Sequence, residues 1–282
     1  MSRHFAVALV ALALVGSAAI ARAEDWNRTY RLTGRADVHV ATNDGHITVR
    51  GTDRRDIAVH IFTEGWNLER DILLTERQDG NTLELTAKIR PHIFMFEWGR
   101  RRLRIEVEMP RNADLVVRSS DGGVDVENLD GRVSLAASDG SIVARDLKGE
   151  LKLHTSDGSI SGEGLDGSLD AGSSDGSIRV SGRFDRLSLG ASDGRVVAEA
   201  LAGSAIGDGW SLHTSDGSVT LRLPEGFKAD LDAMAGDGSI AVDFPVTVSG
   251  RWGRHRLQGT MNGGGGVLMV RTGDGSIRVG KI

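Results

Sequence analysis

From residue 121 onward, apolar residues alternate with polar ones in short runs, and turn residues separate the runs at a fixed interval. Asp-Gly recurs at Asp121, Asp139, Asp157, Asp175 and Asp193 in steps of 18, then at Asp216, Asp237 and Asp274 after steps of 23, 21 and 37. One earlier copy lies at Asp44, 77 residues before Asp121. In the cleanest copy, DGSIVARDLKGELKLHTS from Asp139 to Ser156, Ile142 and Ala144 form one period-2 run and Leu151, Leu153 and Thr155 form the other. Each copy therefore predicts strand, turn, strand, turn. Val38, Val40 and Thr42 lead into Asp44 as Leu268, Val270 and Thr272 lead into Asp274, so the same fold is expected to reach both ends.

Two all-β architectures fit this period. Ser-Asp-Gly-Ser suits a hairpin and hence an antiparallel meander. A flattened β-solenoid, in which each copy is a two-strand coil stacked on the last, fits better. The second turn carries Leu129, Leu147, Leu165 and Leu201, which a hairpin tip in solvent would not favour and a chain bending round a core would turn inward. One coil cannot stand alone. About five apolar side chains at ~1.5–3 kcal/mol each do not offset the ordering of a whole repeat at ~1.5 kcal/mol per residue. Stability is expected to come from neighbouring coils.

On this reading Asp121, Asp139, Asp157, Asp175, Asp193, Asp216, Asp237 and Asp274 are structural turn residues. Gly is expected to supply a positive φ, and the Asp side chain to accept backbone N–H bonds within the turn. Stacking would line up the carboxylates at ~4.8 Å spacing, where neighbours repel by roughly 1 kcal/mol in a water-like dielectric. Turn N–H groups or a cation would offset that repulsion. The turn role is preferred, because the pattern is not the calcium-binding nonapeptide; no metal and no cofactor is assigned.

The interval between Asp44 and Asp121 departs from the repeat. Thr82 to Lys88 and Arg102 to Met109 alternate as strands around IRPHIFMFEWGRR, which predicts an inserted hairpin or cap over residues 66–110, followed by regular repeats over 111–282. Its tip gathers Phe94, Phe96 and Trp98 with Arg100, Arg101 and Arg102. Aromatic and arginine side chains together mark either a binding tip or a plug for an open solenoid end.

Composition narrows the picture. Gly is abundant at 38 of 282 residues and Pro scarce at 4, which excludes a Pro/Gly-rich disordered chain. The net charge of -5, with both signs interspersed, carries no nucleic-acid footprint. Arg3 and His4, the apolar run from Phe5 to Val15, and Ala21-Arg22-Ala23 read as a signal peptide over residues 1–23, leaving one β-repeat domain over 24–282. The run is too short to span ~30 Å of hydrocarbon, so no transmembrane span is expected once the signal is removed. With Cys at 0 the chain needs no disulfides in an oxidising compartment. The histidines His39, His46, His60, His92, His154, His213 and His255 occur singly, and HTSD at 154–157 is adjacency in sequence rather than a catalytic triad.

The repeated small-Asp-Gly-Ser-Ile turns, VEMP at 107–110 and the closing NGGGG…VRTGDGSIRV resemble the bacterial family called "putative adhesin", domain of unknown function 4097. The resemblance implies an exported fold of stacked β-repeats and brings no catalytic residues. The reading is a non-enzymatic module of the periplasm or cell surface, adhesin-like or scaffolding, that binds an envelope protein, a glycan or another surface. The alternative is a polysaccharide-active enzyme on a β-solenoid scaffold. Such enzymes show a local break bearing catalytic acids or bases, and the regular copies carry none.

Overall fold

The computed structural model describes residues 23–91, 101–207, 209–248, 253 and 255–282. The expected signal sequence up to residue 22, and Phe94, Phe96, Trp98 and Arg100 of the tip, lie outside the described residues. β1 (Ala23–Arg31) is followed by β2 (Ala36–Thr42), β3 (His46–Thr52) and β4 (Asp56–Glu64). One helical turn, α1 (Leu68–Asp71), leads into β5 (Ile72–Asp79), β6 (Thr82–Ile89) and β7 (Arg102–Pro110). The regular copies supply β8 (Ala113–Ser119), β9 (Val124–Glu127), β10 (Asp130–Ala136), β11 (Ile142–Arg145) and β12 (Lys148–Thr155). Next, β13 (Ile160–Ser173) and β14 (Ile178–Ala191) each run unbroken round a corner. The chain continues through β15 (Val196–Ala200), β16 (Trp210–Thr214), β17 (Val219–Leu223), β18 (Ala229–Ala235) and β19 (Ile240–Val242). It closes with β20 (Val246–Val248), β21 (Arg256–Met261), β22 (Val267–Thr272) and β23 (Ile277–Lys281).

Successive copies pair parallel and in register, which makes the fold a flattened β-solenoid rather than a meander. Leu135 lies opposite Leu153, and Leu153 opposite Ala171; Ile142 lies opposite Ile160, and Ile160 opposite Ile178. Face A holds β6, β2, β8, β10, β12, the second halves of β13 and β14, β16, β22 and β18. Face B holds β7, β3, β9, β11, the first halves of β13 and β14, β15, β17, β23 and β19. Every second residue of each regular strand points between the faces into one continuous core. The Asp-Gly turns cross from face A to face B along one edge.

The second turn behaves as expected in three copies, where Leu129, Leu147 and Leu165 are buried. Leu201 is the exception, 40% exposed. Its copy is lengthened, and Ala200 is buried in its place. Phe184, Trp210 and Phe227 fill the interior beside it, with ring centroids 6.3 and 5.1 Å apart.

Spatial order departs from chain order at both ends. The first coil in sequence, β2–β3, lies between the β6–β7 and β8–β9 coils. The last, β22–β23, lies between β16–β17 and β18–β19. The long Asp44-to-Asp121 and Asp237-to-Asp274 intervals are thus detours of the chain, not gaps in the stack. This corrects the expectation of an inserted hairpin: β6 and β7 pair with β2 and β3 on opposite faces, so together they form a further coil. Antiparallel strands cover the ends, β5 on β6 and β4 with β1 on β7 at one end, β21 with β20 on β18 at the other. The Glu76 carboxylate on β5 accepts hydrogen bonds from Arg28 and Tyr30 on β1, tying the two faces together at that end.

Candidate functional site

The turn edge brings the sequence-predicted aspartates into one column. Asp157 N–H donates to the Ser138 carbonyl of the preceding coil at 2.9 Å, and Asp175 N–H to Ser156 at 2.9 Å. The same bond joins Asp121 to Asn43, Asp139 to Ser120, Asp193 to Ser174 and Asp216 to Ser192. The two remaining turns follow spatial rather than chain order, Asp274 on Ser215 and Asp237 on Gly273.

Two expectations about this turn need correction. The glycines of the regular turns do not adopt left-handed φ; they are required because the coils approach closely. A Cβ on Gly158 would stand 2.2 Å from the Gly140 carbonyl oxygen, and one on Gly238 1.8 Å from that of Gly275. Nor do the Asp carboxylates hold the turn. They are exposed, and among the described residues none of the column accepts a hydrogen bond at its side chain. That work falls to a buried hydroxyl at the end of several face A strands, a position that Ala takes at Ala87, Ala191 and Ala235. Thr155 Oγ1 lies 3.0 and 3.1 Å from the Ser138 and Gly140 carbonyl oxygens, and Ser173 Oγ 3.2 and 3.0 Å from those of Ser156 and Gly158.

At the β6–β7 end of this edge the described stem of the tip forms an open cavity of about 320 Å³. Alternation along β4 turns Phe62 outward, and the α1 turn places Trp66 beside it. Asn67 caps α1 by accepting from Arg70 N–H at 2.8 Å, while Glu24 accepts from Asn67 Nδ2 and Leu68 N–H at 2.9 and 2.7 Å. The Arg101 guanidinium stacks over the Trp66 ring, 4.5 Å from its centroid. Arg102 and Arg104 line the same cavity, with Arg102 4.0 Å from Glu64 and Arg104 3.8 Å from Glu106. His46, on the opposite wall, lies 3.2 Å from Asp125. Of the six tip residues expected to act together, the structure places Arg101 and Arg102 in one cavity; the other four lie outside the described residues. Phe62 and Trp66 escaped sequence reasoning, although an aromatic at an outward strand position followed by Trp just before a break in the repeat was a usable signal.

This arrangement offers cation–π and apolar contacts with guanidinium donors. Among the described residues no group of three or more His, Cys, Asp or Glu side chains could hold a metal ion, and no helix is long and apolar enough to cross a membrane. The HTSD segment does not assemble: His154 is nearest Asp170 of the next coil, at 4.0 Å.

No curated protein matches the chain. Among solved structures, a "putative lipid binding protein" from Parabacteroides distasonis is similar at 14% identity and a TM-score of 0.47, covering 92% of this chain and 96% of its own. A "putative adhesin" from the same organism has 10% identity and a TM-score of 0.40, covering 91% and 97%. A "putative cell adhesion protein" from Clostridium sporogenes has 11% identity and a TM-score of 0.31, covering 93% and 100%. The family model for Toastrack DUF4097 matches residues 36–280, nearly all of the solenoid from β2 to β23. The chain belongs to the Toastrack DUF4097 family.

Proposed function

We propose that this protein is an exported, non-enzymatic β-repeat module of the cell envelope, adhesin-like in that it attaches to a surface or partner protein. In this reading residues 1–23 are a cleaved signal, residues 24–282 form one domain, and the β6–β7 end of the turn edge is the contact site. The observation that carries it is the cavity in which Arg101 stacks on Trp66 beside Phe62, Arg102 and Arg104. Aromatics with arginine make the strongest contacts at protein interfaces, and here they gather at one end of the solenoid.

The test is attachment of the purified protein to immobilised envelope fragments of the organism that makes it. Arg102→Ser with Arg104→Ser should weaken attachment about tenfold, the scale of a contact worth roughly 1.4 kcal/mol, with the melting temperature held within a few degrees. Replacing Phe94, Phe96 and Trp98 with Ser should do the same. A sharp fall in melting temperature with attachment unchanged would make the segment a cap and refute the contact site. Intact mass checks the export half: the form recovered from the envelope fraction should begin at Glu24.

A further inference from the structure

Face B carries its charges in columns that only the folded order reveals. Across its first coils one outward column reads Glu108, Arg50, Glu127, Arg145, Glu163, each opposite the next on adjacent strands. Opposite charges face each other at every step, and Arg50 Nε reaches Glu127 at 2.8 Å. The coils beyond depart from this order. There the neighbouring column reads Ser161, Arg179, Val197, Thr220, Arg278. Arg179 and Arg278 stand three strand steps apart, about 14 Å at the backbone, with only Val197 and Thr220 between them. Arg195 closes the turn side, where the equivalent residue is Ser in neighbouring copies (Ser159, Ser177, Ser218, Ser276). The result is an open trough of about 670 Å³.

Its charge is unbalanced. Arg222 lies 3.8 Å from Glu199, and Arg278 3.5 Å from Asp243, while Glu163 faces Arg145 across the strand pair. Arg179 and Arg195 have no ion-pair partner among the described residues. On a protein of net charge -5, two uncommitted guanidiniums in one concavity form a local positive site against the overall field. Guanidinium binds carboxylate through a planar, two-point fork. Around the arginines the lining is hydroxyl, from Ser161, Ser181, Ser218, Thr220 and Ser276. No aromatic ring lines it, so it has no platform to stack nucleic-acid bases.

We infer that the trough on face B between Arg179 and Arg278 binds an acidic glycan, an extended chain whose carboxylates sit on Arg179 and Arg195 and whose hydroxyls meet the serine and threonine floor. This goes beyond the attachment site proposed at the β6–β7 end and does not depend on it.

Calorimetric titration of the exported protein with an oligogalacturonate tests the idea, with neutral dextran and inorganic polyphosphate as the other arms. The oligogalacturonate should bind, more weakly as salt rises, and dextran should not. Arg179→Ser with Arg195→Ser should weaken binding about tenfold or more, as removal of two exposed charged contacts implies. Thr220→Trp, which fills the floor and keeps every arginine, should weaken it by at least as much. Arg118→Ser, which removes one charge from face A, should change nothing. Melting curves confirm that each variant is folded. The inference is overturned if the oligogalacturonate does not bind, if Arg118→Ser weakens it equally, or if polyphosphate binds more tightly.

Discussion

Thr155 and Asp157 stand two residues apart in the same turn, both polar and both recurring from copy to copy, yet the fold uses them in opposite ways. Thr155 is 7% exposed and offers its hydroxyl to two backbone carbonyls of the preceding coil. Asp157 lies outside, exposed, contributing only its backbone N–H to the stack. The inner wall of the turn edge holds coil to coil, and the outer rim spaces like charges that repel. Repetition of a residue type therefore does not measure its share of stability. Water decides, because a buried polar group must be satisfied by the protein while an exposed one already is.

The comparison can be broken most forcefully from inside. Leu153→Ala should cost about 2–5 kcal/mol in urea denaturation, since the residue is fully buried in a thin core. Gly158→Ala should cost about 3 kcal/mol, the upper end of overpacking, because the added methyl meets backbone that cannot swing aside. A loss under a few tenths would show that the coils part easily.

Asp114 sharpens the contrast, being a carboxylate that the fold does use. Burial works to raise its pKa, but the Arg132 backbone N–H and guanidinium, with Arg35, outweigh burial and bring it down to about 2. A depressed carboxyl stabilises the folded state above its unfolded value and loses that stabilisation as pH falls through the folded one. Asp114→Asn should therefore cost about 2 kcal/mol at neutral pH, and the difference from wild type should close as the pH approaches 2. A pH-independent difference would assign the effect to packing.

Smaller effects separate the two residues of the opening comparison. Thr155→Val should cost about 1 kcal/mol, the scale of one hydrogen bond. Asp157→Asn should stabilise by up to about 1 kcal/mol, because it removes repulsion from both neighbouring carboxylates and gives up no side-chain bond. If Asp157→Asn destabilises as much as Thr155→Val, the rim holds the stack after all.

Much of this was legible in the chain. Alternation placed Ile142, Ala144, Leu151 and Leu153 inside, and the inward Leu129, Leu147 and Leu165 separated a solenoid from a meander. Leu201 was misread because its longer turn relaxes the constraint that turns its counterparts inward. The role of the turn glycines was misread because a single copy shows a bend but not the carbonyl oxygen of the next coil. The candidate contact cavity was half legible. Arg101 and Arg102 stood out beside the tip aromatics, whereas Phe62 and Trp66 join them only through pairing of β4 with β7.

The strands of the regular copies, their inward faces and the turn edge follow from the chain alone, because a period of two is local to each copy and the repeat length is read by laying one copy on the next. Which coil lies on which emerges only on folding. The β2–β3 coil sits one place in from one end, and β22–β23 one place in from the other. All coils present nearly the same apolar inner face and the same backbone ladder, so local pattern cannot rank their partners. The antiparallel strands that close each end, and the opposite charges that meet when Arg50 enters between Glu108 and Glu127, exist only in the folded chain.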